Sequence, residues 1–345
     1  MPPPAKDFTS MRKISFFKLH PVLGLLALGL AMAVPVQGKY IPPKEKKNSL
    51  KGITQVISFK KVAGNGIVHQ SAANYGKYLF MVQDKLAGIT LYDLEKAKPL
   101  FHLSLTPYEE RNYIGTGSVL YHCNNTSFGT EFFDRNDVFP LLYVTQRQVK
   151  ESLRAFVVVL RIVPHFGPEQ EIDSFSAERV QTIYMPGMSE KNRLGHPNII
   201  IDRKRNDIVT YSRYNNSNSK YDQLGRITRL RLPSLRNANG EIQHTVYLDD
   251  KDITDCFDTE WNMTYAQGGF VQGDLLVIGQ GFPTKKHAPV NVRVIDLKKR
   301  KTVGTTNIYD MGFDDEPEGV FLYKGKVMVS SIRKNIYVLD FARQR

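Results

Sequence analysis

Residues 120–133 read LYHCNNTSFGTEFF, so His122, Cys123, Asn124, Asn125 and Thr126 stand in a row just ahead of FPLLYVT, a run with strand character. Imidazole, thiol and carboxamide groups all bind metals or polar ligands, and their concentration at the head of a strand marks a place where side chains converge. Similar residues head other strand-like runs: His69 and Gln70 in HQSAANYGK, His196 in HPNIII, Gln267 in YAQGGFVQG, and Glu316 and Glu318 in EPEGVFLYKG. Aligned on the turn glycines Gly76, Gly273 and Gly325, the residues His69, Gln267 and Glu318 fall at comparable positions. His122 and His196 open their own runs in the same way. The pattern predicts a ring of His69, His122, His196, Gln267 and Glu318, flanked by Gln70, Asn124 and Glu316.

Two chemistries suit such a ring. His69, His122, His196 and Glu318 offer neutral imidazole nitrogen and carboxylate oxygen, a set that would hold one divalent metal (Zn, Mn, Fe or Ca) and leave a position open for water or a substrate oxygen. Without a metal, Glu316 and Glu318 share one strand face at i and i+2 and could serve as the acid and base of a hydrolase. Glu131, Asp258 or Glu260 would then supply a second carboxylate. The competing expectation is a wet polar channel whose histidines bond strand-end carbonyls and ordered water, with DDEPEG a solvated turn.

Other polar residues carry weaker signals. Arg229 and Arg231 alternate in GRITRLRL, so they share a sheet face that could meet an anion or simply face solvent. Tyr211, Tyr214 and Tyr221 flank a polar connection and could stack on sugar rings, or belong to an ordinary loop. Trp261, the sole tryptophan, is expected either on a pocket wall or in the core. His102 and His244 fall in outer strands and His165 and His287 in loops, outside the expected site.

The elements that must position the ring are strands. Beyond residue 53 the chain is a succession of short β-branched and aromatic runs separated by Gly, Asn, Asp and Lys-Asn turns, and no segment sustains a helical period. The runs group in fours. His69–Leu105 is one quartet. The second opens at His122 and continues through PLLYVTQ, RAFVVVLRIV and ERVQTIYM. The third comprises HPNIIIDRKRN, DIVTYSR, GRITRLRL and IQHTVYL, and the fourth YAQGGFVQG, DLLVIGQG, VNVRVIDLKK and KTVGTTNI. The last has only three members, EPEGVFLYKG, KVMVSSIRK and NIYVLDF. TQVISFKKV, residues 54–62, belongs to no quartet and can complete it. The expected fold is therefore an all-β propeller of five four-stranded blades, closed by an N-terminal strand so that no edge is left open. At about 45 residues per blade the length also admits six or seven.

The chain has 345 residues and a formal charge of +13. Arg12, Lys13 and Lys18 precede an apolar stretch from Val22 to Val34, which reads as a signal peptide over 1–38, with Ala31 and Ala33 or Gly38 as cleavage sites. An uncleaved anchor is the alternative. A basic linker, 39–52, follows, then a single propeller domain, 53–345, with no transmembrane segment in the mature chain. Removal of residues 1–33 would lower the charge to +10, which favours acidic partners through the overall field. Secretion to the periplasm or cell surface and the scarcity of stacking aromatics among the basic residues disfavour nucleic acid. Two cysteines, Cys123 and Cys256, could pair in an oxidising compartment but make no disulfide framework. No G-x-S-x-G elbow, H-E-x-x-H pair, phosphate-binding P-loop or dinucleotide fingerprint is present.

This layout, and the segment HCNNTSFGTEFFDRNDVFPLLYVT in particular, resembles secreted bacterial β-propeller proteins of uncharacterised function, of the Bacteroides type, over most of residues 50–345. The resemblance implies a fold and a compartment but no activity. The expected function is a monomeric secreted propeller that binds a small polar ligand, a carbohydrate or an anionic metabolite, in a central pocket through His69, Gln70, His122, Asn124, His196 and Gln267. A metal-assisted or carboxylate-based hydrolase of glycosides or phosphoesters, using the same pocket with Glu318 and Glu316, and a protein-interaction scaffold are the alternatives.

Overall fold

A computed structural model describes residues 53–58, 68–83, 88–104, 120–121, 123–148, 156–187, 198–213, 225–261, 263, 265–283, 289–332 and 335–339. The expected segments 1–38 and 39–52, with His122, His196, Tyr214 and Tyr221, lie outside them. Helix among the described residues is limited to one 3-10 turn, Asp250–Asp252. No described helix is long and apolar enough to cross a membrane.

The strands form five sheets, each a blade. Blade 1 contains β2 (His69–Tyr75), β3 (Tyr78–Gln83), β4 (Gly88–Asp93) and β5 (Lys98–Ser104). Blade 2 has the short β6 (Leu120–Tyr121) and β7 (Thr126–Phe128), both paired with β8 (Leu142–Gln148), then β9 (Phe156–Phe166) and β10 (Ile172–Gly187). Blade 3 orders β11 (Asn198–Asp202), β12 (Asp207–Arg213), β13 (Gly225–Arg231) and β15 (Ile253–Thr259). Blade 4 is β16 (Ala266–Gln272), β17 (Leu275–Gln280), β18 (Asn291–Asp296) and β19 (Lys301–Asn307). In blade 5, β20 (Pro317–Tyr323), β21 (Lys326–Ser331) and β22 (Asn335–Leu339) are completed by β1 (Ile53–Ser58). The first strands β2, β7, β11, β16 and β20 contact one another in that cyclic order, with β20 returning to β2, so five blades surround one axis.

The third quartet departs from expectation. The HTVYL run forms β14 (Thr245–Asp249), which leaves blade 3 and runs parallel along the outer edge of β10, with Thr182 opposite Thr245. The outermost strand of blade 3 is instead ITDCFDT, β15. Blade 2 thereby gains an extra outer strand, and β10, the longest strand, is covered where it would have been an open edge.

Packing follows from strand alternation with both faces apolar. In β3, Phe80 and Val82 face blade 2 while Leu79 and Met81 face blade 5. In β9, Val158 and Leu160 face blade 1 while Val157 and Val159 face blade 3. Similar clusters fill the interfaces of blades 3 and 4 and of blades 4 and 5, so the core consists of five wedges between neighbouring sheets. Cys123 is buried in the first wedge, and Cys256 sits half-buried on the outer strand of blade 3; the two are not joined by a disulfide. The hairpin glycines Gly76, Gly273 and Gly325 adopt φ of 57°, 64° and 74°, the left-handed region that a tight turn between first and second strands requires.

Closure joins the two ends of the described chain, since β1 pairs antiparallel with β22 from Ile53 opposite Leu339 to Ser58 opposite Asn335. A truncated protein beginning at Phe59 is expected to show a lower Tm and concentration-dependent light scattering, because the β22 edge becomes a template for another chain. An unchanged Tm in that truncation would show that closure contributes no stability.

Candidate functional site at the mouths of the innermost strands

Three of the five first strands begin with a β-bulge. His69 pairs with Gln83 and Ser71 with Val82, which leaves Gln70 surplus; Pro317 pairs with Ser331 and Gly319 with Ser330, which leaves Glu318. In β16 the surplus falls within Gln267–Gly268. A bulge puts two residues opposite one and re-aims the extra side chain. Gln70 is therefore the counterpart of Glu318, one position later than the turn alignment placed it.

The bulged residues meet across blades. Gln70 Nε2 of blade 1 lies 3.5 Å from Glu318 Oε1 of blade 5. Gln267 Nε2 of blade 4 donates to Glu316 Oε1 of blade 5. Both carboxylates are withdrawn from solvent, Glu318 at 1% and Glu316 at 9% exposure.

These contacts belong to a closed polar girdle. Ser71 of blade 1 and Thr126 of blade 2 share a hydrogen bond between their hydroxyls. Asn125, just before β7, donates from Nδ2 to the Ile199 carbonyl of blade 3 at 3.0 Å. Asn198 of blade 3 donates in turn to the Ala266 carbonyl of blade 4 at 2.9 Å, and the Tyr211 hydroxyl donates to the Gln267 carbonyl at 2.6 Å. With the two glutamine–glutamate contacts, every pair of neighbouring blades is joined by a side-chain bond around the axis. Carbonyl oxygens only accept, so the two asparagine amides are fixed in orientation; their Oδ1 atoms are buried with no donor among the described residues. Glycine lets the inner strands approach this closely. A Cβ on Gly268 would lie 2.5 Å from the Glu318 carbonyl oxygen and 3.1 Å from Asn125 Oδ1.

His69 faces a partner within its own blade. Its Nε2 lies 3.5 Å from Thr90 Oγ1 on β4, and Thr90 lies 2.9 Å from His102 Nδ1 on β5, a row that crosses blade 1 outward from its inner strand. Burial, and secondarily the neighbouring His102, push the His69 pKa down to about 3, so the ring is neutral at physiological pH. At the bulge it is the next residue, Gln70, whose side chain meets Glu318. His122 and His196, the other imidazoles of the expected ring, lie outside the described residues. Among the described residues no three His, Cys, Asp or Glu side chains cluster as metal ligands.

The remaining candidates separate into structural and peripheral roles. Asn124 is half-buried, and the residue that reaches a neighbouring blade is Asn125. Glu131 accepts from Ser234 Oγ and the Leu235 amide, which ties a loop of blade 2 to the segment after β13. Asp258 is held by Arg226 through two bonds of 2.7 and 3.2 Å, and Glu260 is exposed. Arg229 is buried, bonding both Asp202 and Asp207 at 2.8 Å, whereas Arg231 faces solvent. Tyr211 is fully buried, which removes it as a stacking surface. Trp261 packs against the wedge between blades 3 and 4 and donates to Thr302 Oγ1 at 2.6 Å. Asn125 and Thr126 belong to the polar row 122–126 without entering the expected ring, and Ser71 and Asn198 carry no distinguishing signal in the sequence, being ordinary polar residues at strand starts.

No known protein family matches the chain, and no curated protein matches it. Among solved structures it is similar to the glutaminyl cyclase of Myxococcus xanthus, with 10% identity and a TM-score of 0.43, over 83% of this chain and 94% of that one. It is also similar to the computationally designed Ika8 protein, with 9% identity and a TM-score of 0.34, over 83% of this chain and 99% of that one.

Two predictions test the site's construction. Gly268→Ala is expected to destabilise the protein by about 1–3 kcal/mol in chemical denaturation, because its Cβ meets fixed backbone; a neutral effect would show that the inner ring has slack. The folded His69 binds its proton at about 3, well below the 6.5 of an unfolded histidine, so unfolding takes up a proton between these values. Stability contributed by the neutral ring is complete above about pH 6.5 and falls with pH by up to about 1.4 kcal/mol per unit below it. A His69→Gln variant should therefore show a shallower loss of stability than the parent between pH 6 and 4. Parallel curves would place the acid sensitivity elsewhere.

Proposed function

We propose that this propeller binds a small polar ligand rich in hydrogen-bond donors, a carbohydrate above all, at the axial mouth built by Glu316, Glu318, Gln70 and Gln267. The observation that carries this reading is the burial of two carboxylates at the start of one inner strand, each met by a glutamine from a different blade. Withdrawing a carboxylate from water costs several kcal/mol, and apolar residues would close the ring more cheaply. Carboxylates and carboxamides that converge on an axis suit hydroxyl groups, which donate and accept at once. An anionic metabolite, the other ligand chemistry the sequence suggested, fits less well, because two carboxylates would repel it. The N-terminal pattern of basic and then apolar residues supports an extracytoplasmic setting for this binding.

The carbohydrate reading is tested by thermal shift with hexoses, hexosamines and methyl glycosides, comparing the parent with Glu318→Gln. Glutamine can still accept from Gln70, so the variant should fold, while the charge presented to the ligand is lost. A binding sugar at about a hundredfold over its Kd should raise the parent Tm by roughly 5 °C and leave the variant unmoved. Equal shifts in both proteins, or none with any sugar, would overturn the reading. Release of nitrophenol from aryl glycosides by the parent, absent in Glu318→Gln, would convert the binding site into a hydrolase site.

A further inference from the structure

Four described arginines are buried or half-buried, and three are neutralised inside the protein. Arg229 meets Asp202 and Asp207, Arg226 meets Asp258, and Arg161 meets Asp137. Arg293 on β18 is the exception. Its Nε donates to Gln280 Oε1 at 2.6 Å and its Nη1 to Thr305 Oγ1 at 3.2 Å, both neutral acceptors. Its guanidinium carbon sits 4.2 Å from the centre of the Trp261 ring, and it forms no ion pair among the described residues. Burial lowers its pKa to about 10, opposed by the charge of Glu260, so the group remains a cation at neutral pH.

The donor count shows what is missing. A guanidinium has five N–H groups; Gln280 and Thr305 take one each, which leaves about three, spread over Nη1 and Nη2. That pair of nitrogens forms the end of the fork that matches the two oxygens of a carboxylate or phosphate. Trp261 covers one face and is itself anchored through Thr302, so the fork is held in orientation. Gln280 pairs with Ala266 at the start of β16 and with Asn291 at the start of β18. The group therefore lies at the same end of blade 4 as Gln267, two strands or roughly 10 Å outward from the inner strand.

We infer that Arg293, with Gln280, Thr305 and Trp261, forms an oxyanion site that takes the carboxylate or phosphate group of a small ligand, separate from the axial carboxylates. A half-buried cation with only neutral partners is an expensive arrangement that an arriving anion would relieve. Glu260 is exposed and acts on Arg293 without an ion pair, so it competes with the ligand by charge and does not fill the fork.

Trp261, as the sole tryptophan, reports directly on this site. The experiment titrates the full-length protein with sodium phosphate and, separately, sodium acetate at ionic strength fixed with sodium chloride, following tryptophan fluorescence. The expected result is a saturable change with at least one anion, lost in Arg293→Gln, retained in Glu318→Gln, and tightened about fivefold in Glu260→Gln as one repulsive charge is removed. Response to phosphate alone assigns a phosphorylated ligand, and response to acetate alone a carboxylate. Should Arg293→Gln fail to fold, Arg293→Lys keeps the charge without the fork and is expected to weaken binding at least about tenfold. No saturable change with either anion in the folded parent, or an undiminished change in the Arg293 variants, overturns the inference. Loss of the response in Glu318→Gln would instead tie the anion to the axial site.

Discussion

The structure depends on closing five twisted sheets around one axis without stranding the polar groups that crowd there. Each inner strand brings backbone and side-chain donors and acceptors to the centre, where little water reaches them, and an unmade hydrogen bond in such a place costs about 1–3 kcal/mol. The girdle from Ser71–Thr126 through Asn125, Asn198 and Gln267 to Glu318–Gln70 meets most of that requirement by joining each blade to the next, with the Oδ1 atoms of Asn125 and Asn198 left over. Because the bonds run between blades, no blade can satisfy its inner strand alone. Polar closure at the axis and apolar packing in the wedges thus act on the same five interfaces.

The girdle also limits where ligand chemistry can reside. Most of its members are consumed in holding blades together: the asparagine amides end on backbone carbonyls, and Tyr211 is buried against Gln267. Glu316 and Glu318 differ, because a buried carboxylate is a costly way to close a ring that amides and hydroxyls already close elsewhere. Their position at the bulged start of β20, with Gly319 allowing close approach to Ala72, sets two carboxylates between blades 4 and 1.

Charge is handled differently away from the axis. Asp202 illustrates the usual arrangement: its carboxylate accepts from the Lys204 and Arg205 amides in the β11–β12 turn and is neutralised by Arg229. Asp93 and Asp296 likewise accept from backbone amides in the turns between the third and fourth strands of blades 1 and 4. Arg293 stands outside this pattern, its partners being a carboxamide, a hydroxyl and an aromatic ring. Among the described residues the other withdrawn arginines are paired, so that difference is chemical information and not merely a packing detail.

Much of the architecture was legible in the chain itself. Period-two alternation with apolar residues on both faces, as in YLFMVQ and FVVVL, dictates strands buried between sheets, and glycines such as Gly273 and Gly325 fix tight turns by their left-handed backbone. The orphan run at residues 54–62 announced the closing strand, because an incomplete last quartet leaves an edge. Tertiary structure decided the rest. HTVYL carries the same strand character whichever blade accepts it, and only the uncovered edge of β10 settles its place. A bulge leaves no mark in residue types, so the meeting of Gln70 with Glu318 was invisible until pairing fixed the register. The partners of Glu318 and the solitude of Arg293 are likewise properties of distant segments brought together, since hydrogen bonds and charges act over a few ångströms of space and not along the sequence.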